Sequence, residues 1–398
     1  MFSLTPLPRF RLACPYCYEI FPEWRIEFRC SGRPGPNGDR CEPEPDRLLE
    51  SRLGITGDRP HTFRDGRHRY RSVCPVSKAK TTTRVCPICH STLPVHFGRI
   101  RSQLIALVGA RDSGKTVFMT VFMHEFGYRL GDRLGAAIPG ADDNTRRVFR
   151  RDYEERLYEG HSLPDPTFTV AAERQGYRPP MVFKFMRQIR SRLPGRTRQT
   201  LLSFFDTAGE DLTTTASTEL NIRYLEAADA VILILDPLQM KGGRQLAAIE
   251  ALQQEPRPED DPYGVLQRIT EMLKAGHRDR RVRKPLGVVF TKLDALWHKF
   301  PEGSVLKRPE PVGAGCDERD SLDVHHQVQA LLYDWDGPQI DQYLKHNYRC
   351  FRYFGVSALG AIPTLDKHVS TVISPYRVGD PILWLLSKAH MVPVIRRR

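Results

Sequence analysis

The sequence of 398 residues contains no long hydrophobic run. A membrane-spanning helix needs about 18 largely apolar residues in succession, and the apolar run from Ala230 to Leu235 is far shorter than that. The N-terminal residues also lack the apolar core of a secretory signal peptide. We therefore expect a cytoplasmic protein that does not span a membrane.

Acidic residues are in the minority: 47 Asp and Glu face 60 Lys and Arg, which gives a net charge of +13. A basic excess is typical of proteins that bind nucleic acid or another acidic surface. Here the arginines are scattered, with only short clusters such as those at 64–71 and 278–284. A general preference for arginine codons explains this pattern better, so nucleic-acid binding is an alternative that we do not favour. We find no internal repeat.

Nine cysteines are present, and seven of them lie in the first 98 residues. Cytoplasmic cysteines serve as metal ligands or free thiols more often than as disulfides. Cys14 and Cys17 form one Cys-x-x-Cys pair, and Cys86 and Cys89 form another. Two such pairs supply the four thiolates of a tetrahedral zinc site. Buried free thiols and a redox-active dithiol are the weaker alternatives.

A second group of cysteines lies between the two pairs. It comprises Cys30, Cys41 and Cys74, and either His61 or His68 could complete a four-ligand set. Because this stretch has few apolar residues, an ion would have to supply much of its core. The number of zinc ions, one or two, stays open at this point.

Residues 109–116 match the phosphate-loop pattern G-x-x-x-x-G-K-[ST]. An apolar run at 100–108 predicts a strand before the loop, and residues 117–130 predict a helix after it. Such a loop directs backbone N–H groups at an anion, and the helix N-terminus adds positive potential. Lys115 would reach the terminal phosphates, and the Thr116 hydroxyl would bind magnesium. The residues expected to contact the nucleotide here are Gly109, Asp112, Ser113, Gly114, Lys115 and Thr116.

Beyond the loop, apolar strand patterns alternate with helical ones, which predicts a doubly wound α/β domain with a mostly parallel sheet. We expect this domain at 99–398, with insertions near 131–180 and 295–322. A small Cys-rich, zinc-ribbon-like domain at 1–98 would precede it.

A second phosphate-site motif follows the predicted strand at 199–205. Asp206 stands at the carboxyl end of that strand, where a P-loop protein holds its magnesium ion. Gly209 can offer its N–H to the γ-phosphate. The spacing from the phosphate loop makes this short motif informative.

Four motifs in this order resemble those of the TRAFAC-class, Ras-like P-loop GTPases: 109–116, 206–209, 291–294 and 357–359. Within that class the chain is similar to the bacterial double-GTPase family, which also carries an N-terminal Cys-rich ribbon. That resemblance implies a switch that binds and hydrolyses GTP with Mg²⁺. It also implies a regulatory role in a conflict (antiphage-type) system, beside a second GTPase and effector proteins. An RNA- or ribosome-associated GTPase is the alternative.

The resemblance assigns guanine recognition to the third and fourth motifs. The Asp294 carboxylate can accept from both N1–H and the exocyclic amine of guanine. The stem of Lys292 would lie over the base, and the Ala358 N–H would meet O6. Thr291 stands where asparagine is commoner, and Ser357 opens the last motif.

Two features bear on hydrolysis. Glu210 stands where many small GTPases have a glutamine, and a carboxylate can accept from the attacking water but cannot donate. We therefore expect slow hydrolysis by the isolated protein, with Arg111 or an arginine from a partner supplying positive charge. The switch threonine is expected at Thr167, with Thr169 as the rival.

We predict that the protein binds GDP far more tightly than ADP, because a site built on hydrogen bonds to a base discriminates by about 10⁴. Asp294→Asn should shift the preference toward xanthine nucleotides, since the amide can donate where the carboxylate only accepts. Titration with fluorescent GDP and ADP analogues measures this. ADP binding within about tenfold of GDP would contradict the assignment.

Overall fold

The computed structural model describes most of the chain. The described residues are 11–66, 70–95, 97–98, 101–164, 180–189, 197–204, 222–252, 255–275, 281–364, 366, 368–370 and 372–396.

The N-terminal part is built from very short strands and one helix. The strands are β1 (Arg11–Ala13), β2 (Ile20–Pro22), β3 (Glu27–Arg29), β4 (Glu44–Pro45), β5 (Asp58–Arg59), β6 (Thr62–Phe63), β7 (Ser72–Val73), β8 (Lys80–Thr81) and β9 (Arg84–Val85). Helix α1 (Arg47–Leu53) begins after Asp46, which accepts from the Leu49 N–H, and ends at Gly54 in the left-handed conformation. Strands of two or three residues bury little surface, so the buried cysteines make up part of the core.

The remaining strands form the central sheet and a small pair. They are β10 (Arg101–Ser102), β11 (Ile105–Gly109), β12 (Ala136–Ala137), β13 (Met181–Gln188), β14 (Thr197–Phe204), β15 (Ala230–Leu235), β16 (Leu286–Phe290), β17 (Cys316–Asp317), β18 (Phe351–Gly355) and β19 (Val394–Ile395).

The central sheet has two parts, which are joined by the segment that carries β10 and β11. Strands β11, β15, β16 and β18 are hydrogen-bonded in that order and are all parallel. Strands β10, β14, β13 and β12 form the second part, in which β13 and β14 are antiparallel. Because β10 runs almost directly into β11, and the Gln103 N–H donates to the Leu201 carbonyl at 3.1 Å, the two parts continue each other.

Helices cover both faces of this sheet. They are α2 (Lys115–Glu125), α3 (Gly131–Leu134), α4 (Asp143–Val148), α5 (Glu155–Tyr158), α6 (222–227), α7 (Lys241–Leu246), α8 (Pro262–Lys274), α9 (Glu318–Asp334), α10 (Pro338–Asn347) and α11 (Asp380–Lys388). Turns of π-helix join α2 to α3 and α4 to α5. Within the described ranges, no helix has both the length and the apolarity needed to cross a membrane.

The strand β11 shows how the layers are made. Ile105 and Leu107 pack into an apolar cluster with residues of α2 and α11. Ala106 and Val108 point the other way, into a cluster with residues of α8, α9 and α10. Successive residues of a strand face opposite sides of the sheet, so the apolar strand is buried on both of its faces. This is the doubly wound α/β arrangement that the sequence predicts.

The described parts of the two predicted insertions contain regular secondary structure. Helix α9 begins at Glu318, inside the stretch near 295–322 that we predicted to be an insertion. Its start is fixed by Asp317, which accepts from the Asp320 N–H at 3.2 Å. In the first insertion, β12 adds to the sheet edge beside β13.

The N-terminal part packs on the sheet through the turn that carries the first cysteine pair. Cys14, Tyr16 and Cys17 share an apolar cluster with Val182 of β13 and Leu201 of β14. All five side chains are buried. The first cysteine pair is therefore continuous with the core of the α/β domain.

Two hydrogen bonds reinforce this contact. The Ser203 hydroxyl of β14 donates to the Pro15 carbonyl at 2.7 Å. The Tyr16 hydroxyl donates to a carboxylate oxygen of Asp142 at 2.6 Å. Asp142 also caps α4 by accepting from the Thr145 N–H at 2.7 Å. The same carboxylate thus anchors a helix and the cysteine-bearing turn.

We predict that Tyr16→Phe lowers the free energy of unfolding by about 1.5–3 kcal/mol, because it removes a buried hydrogen bond to a charged group. Tyr128→Phe is the matched control. Its side chain is 72% exposed, so the loss of its hydroxyl should change stability by less than about 0.5 kcal/mol. Urea denaturation measures both. Equal effects of the two substitutions would contradict the role assigned to Tyr16.

Candidate functional site

The loop between β11 and α2 has a backbone that only certain residues tolerate. Asp112 and Gly114 are left-handed, with φ of 56° and 90°. A Cβ at Gly109 would lie 2.4 Å from the Ile234 carbonyl of the neighbouring strand. Glycine is therefore required where the loop leaves the sheet, and the turn brings the N-terminus of α2 to the loop's inner side.

Lys115 lies against the inner side of this loop. Its ammonium group donates to the Gly109 carbonyl at 3.2 Å and to the Ala110 carbonyl at 2.7 Å. The side chain of Ser113 closes the loop further by donating to the Ala110 carbonyl at 2.8 Å. Lys115 is only 6% exposed, so a full positive charge is held at the centre of the loop. A phosphate would interact with that charge more strongly than neutral carbonyls do.

The outer side of the loop carries Arg111. Its guanidinium lies 3.8 Å from the Asp112 carboxylate, and both side chains are about two-fifths exposed. The backbone N–H of Arg111 donates to the carboxylate of Asp260, a buried residue from the acid-rich loop before α8. Burial raises the pKa of Asp260, and this hydrogen bond opposes the rise. Asp260 was not predicted from sequence, since nothing in that loop marks its partner.

Thr291 connects the phosphate loop to the motif assigned to the base. Its hydroxyl lies 2.7 Å from the Ser113 carbonyl, to which it donates, and its side chain is buried. A Cβ added to Gly114 would lie 3.7 Å from the same hydroxyl oxygen. Thr291 thus holds the phosphate loop in place, a role that its position in the sequence motif does not reveal.

The structure brings Asp294 and Ser357 together from separate motifs. The Ser357 hydroxyl donates to a carboxylate oxygen of Asp294 at 2.6 Å and accepts from the Gly360 N–H at 2.9 Å. Burial raises the pKa of the Asp294 carboxyl, and the bond from Ser357 opposes that shift. Ala358, the next residue, is half-buried.

The ammonium group of Lys292 forms an ion pair with Asp236 at 2.6 Å. Asp236 follows β15 directly, its side chain is 2% exposed, and its other carboxylate oxygen accepts from the Leu238 N–H at 2.8 Å. This fixed carboxylate orients Lys292, whose own backbone is left-handed. Sequence reasoning missed Asp236, although an acidic residue at the end of a buried strand is the signal that singled out Asp206.

Several predicted residues lie outside the described part of the chain. They are Thr167, Asp206, Gly209 and Glu210, together with the alternatives Thr169 and His68. Their assignments stay predictions. Thr116 is described, in the first turn of α2.

The two cysteine pairs meet in one buried group. Cys14 and Cys89 have their sulfurs 3.9 Å apart, and Cys17 and Cys86 have theirs 3.8 Å apart. Tetrahedral zinc with Zn–S bonds of about 2.3 Å places its sulfurs about 3.8 Å apart. Burial raises the pKa of the Cys14 thiol well above its ordinary value, so a cation would be needed to hold that sulfur as a thiolate. The geometry fits a four-cysteine metal site.

The second group of cysteines is also assembled. The sulfurs of Cys30, Cys41 and Cys74 lie within 4.8 Å of one another, and all three residues are buried. His61 is the described histidine beside them, with Nε2 at 3.6 Å from the Cys74 sulfur.

The phosphate loop, the parallel sheet and the base motif at its carboxyl edge define a P-loop GTPase, an enzyme that hydrolyses GTP. The model of the Double-GTPase 2 family matches residues 103–329, and the chain belongs to that family. The assignment that the motifs predict is thereby confirmed.

A relative in Mycolicibacterium smegmatis bears the name "Putative ESX-1 scaffolding and assembly protein SaeC". It is 28% identical over 319 residues, which cover 76% of this chain and 79% of SaeC.

Among solved structures, the chain is similar to the bacterial selenocysteine-specific elongation factor EF-Sec, with a TM-score of 0.29 and 13% identity over 73% of this chain. It is also similar to the GTPase-like domain of S. cerevisiae Ski7 bound to GDP and inorganic phosphate, with a TM-score of 0.34 and 11% identity over 73% of this chain. The matched part spans 29% of the EF-Sec chain and 50% of the Ski7 chain.

We predict that Thr291→Ala weakens the binding of GDP and GTP alike by about 2- to 10-fold, because it removes a hydrogen bond worth about 0.5–1.5 kcal/mol that holds the phosphate loop. Thr291→Ser keeps the hydroxyl and should bind as the wild type does. Competition with a fluorescent GDP analogue measures both variants. Equal affinities of the alanine and serine variants would exclude this role for the hydroxyl.

Proposed function

We propose that this GTPase is a molecular switch. The conformation of its zinc-bound N-terminal part would depend on which nucleotide is bound, and partner proteins would recognise that conformation. One observation carries the proposal: the Ser203 hydroxyl of β14 donates to the Pro15 carbonyl, between Cys14 and Cys17 of the four-cysteine group.

The switch would run along β14. This strand ends at Phe204, and Asp206 follows two residues later in the sequence. A change in how Asp206 and Gly209 engage magnesium and the γ-phosphate would therefore act at the end of β14. Ser203 lies one residue before that end and contacts the zinc-binding turn.

The nucleotide would be held by the residues described above. Lys115 would meet the terminal phosphates, while Thr116 and Asp206 would bind Mg²⁺. Asp294 would recognise guanine, with Ser357 holding its carboxylate in place. Glu210 is the reason to expect slow hydrolysis by the isolated protein, with a partner supplying the missing stabilisation.

Zinc would be the metal of the first cysteine group. Cys14, Cys17, Cys86 and Cys89 supply four sulfurs and no open position, which is typical of structural zinc. The ion would make the turn that contacts β14 rigid. A movement of the strand would therefore displace the whole turn.

The partners would be proteins, among them a second GTPase and an effector. The name of SaeC refers to scaffolding and assembly, which favours control of the assembly of a protein complex over the antiphage-type role that the resemblance suggested. Nucleic acid is less well supported. Several basic side chains that could bind phosphate are neutralised by carboxylates; examples are Arg29, Arg129, Arg352 and Arg377.

Hydrogen exchange can test the switch directly. We predict that residues 11–22 exchange at different rates in the GDP-bound protein and in protein bound to a non-hydrolysable GTP analogue. Ser203→Ala should reduce that difference while leaving the nucleotide-dependent difference at 205–220, because it removes the hydrogen bond to the Pro15 carbonyl and keeps the apolar contact of Leu201 with the turn.

Ser387→Ala is the control, since this buried hydroxyl donates to the Trp384 carbonyl within its own helix, α11. It should preserve both differences. If residues 205–220 respond to the nucleotide and residues 11–22 do not, the proposed coupling is wrong. If neither region responds, the protein is not a nucleotide-dependent switch.

A further inference from the structure

A third turn that begins at a cysteine lies in the N-terminal part, formed by the residues from Cys74 to Ala79. The Cys74 N–H donates to the Ala79 carbonyl at 2.9 Å, and the Lys78 N–H donates to the Cys74 carbonyl at 3.0 Å. Lys78 is left-handed, with φ of 59°. A non-glycine residue in this conformation is uncommon, so the turn is a specific structure.

The two turns that carry the Cys-x-x-Cys pairs have the same geometry. In them Tyr18 and His90 are the left-handed residues, with φ of 62° and 55°. Their N–H groups donate to the carbonyls of Cys14 and Cys86, each at 3.0 Å. The third turn therefore has the backbone of a zinc knuckle, with Ser77 where the other two have their second cysteine.

Two further cysteines converge on this third turn. The Cys41 sulfur lies 3.6 Å from that of Cys74, and the Cys30 sulfur lies 3.5 Å from the Ser77 hydroxyl. The loop that leads to Cys41 is pressed against the turn, since a Cβ at Gly35 would lie 1.5 Å from the Ser77 carbonyl. These contacts bring the three sulfurs within 4.8 Å of one another, close enough for one tetrahedral ion to draw them together.

Little else forms a core at this place. The apolar cluster around the three sulfurs contains, besides the cysteines themselves, only the half-buried Phe63 among the described residues. The first cysteine group, by contrast, shares its cluster with buried leucines and phenylalanines. An ion would supply the cohesion that apolar side chains do not supply here.

The fourth ligand is best supplied by His61. Its Nε2 lies 3.6 Å from the Cys74 sulfur, and its carbonyl accepts from the Cys30 N–H at 3.0 Å, which holds it beside a second thiol. Ser77 is the other neighbour, but a neutral hydroxyl is not among the usual ligands of zinc. The mutually close group comprises the three sulfurs without His61, so ligation requires a rotation of the imidazole toward Cys30 and Cys41.

We propose that Cys30, Cys41 and Cys74 bind a second zinc ion with His61 as the fourth ligand, while the Ser77 hydroxyl donates to a thiolate. Binding releases the three thiol protons and involves no change of oxidation state. The site is separate from the four-cysteine group and does not depend on the nucleotide switch.

Metal content tests the number of ions. Native mass spectrometry of the purified full-length protein should show two zinc ions per chain. Cys74→Ala should hold one, whereas Cys350→Ala, which removes a half-buried cysteine outside both groups, should hold two. A wild type with a single zinc that Cys74→Ala retains would overturn the proposal, as would a disulfide between Cys41 and Cys74.

Cobalt substitution tests the fourth ligand. His61→Ala should shift the d–d absorption bands of the Co²⁺-loaded protein and lose one metal equivalent to a chelator. Ser77→Ala should keep the wild-type bands, while its affinity for the metal falls by the 10- to 100-fold typical of losing an outer hydrogen bond. The reverse pattern would make Ser77 the ligand and overturn the assignment of His61.

A rescue variant covers the case in which His61→Ala unfolds. His61→Ala/Ser77→Cys places a cysteine at the position where the other two turns have one, and it should restore two equivalents with the spectrum of a four-thiolate site. For the wild type itself, a chelator should release the two zinc ions in two phases, the faster one from the site with three sulfurs. Release of both ions in one phase, together with a failed rescue, would contradict a distinct second site.

Discussion

The nucleotide site depends on one constraint: the four parallel strands of the sheet end side by side at the same edge. Gly109 pairs with Ile234, and Phe290 pairs with both Leu235 and Gly355, so β11, β15, β16 and β18 finish side by side. Each loop that follows begins at the same edge. Groups that are far apart in sequence therefore meet there, and their contacts hold one another in position.

The backbone of this site could be predicted from sequence because its signals are local. Apolar runs mark the buried strands, and the glycines of the phosphate loop mark a turn that needs them. The side-chain contacts could not be predicted in the same way. Thr291 donates to a carbonyl 178 residues away, and Asp236 pairs with Lys292 across 56 residues. Such partners are known only once the strands are placed beside each other.

In the N-terminal part, too, local patterns could be predicted from the sequence and contacts between distant residues could not. Pairs of cysteines two residues apart can be recognised at once, and the structure joins the two predicted pairs in one group. The third turn escapes such a search because Ser77 interrupts the pattern, although its backbone is that of the other two. The hydrogen bond from Tyr16 to Asp142 could not be predicted either, because no local sequence pattern around either residue indicates the other as its partner.

The bond between Ser203 and Pro15 spans 188 residues, and this separation orders the events of biosynthesis. The last ligand of the four-cysteine group, Cys89, is synthesised well before Ser203. At about 5–20 residues per second, the interval is on the order of ten seconds. During that time the cysteine-bearing turns have no strand pair over them. A metal ion bound by the nascent chain in this interval would be enclosed when β13 and β14 pack on the first cysteine-bearing turn.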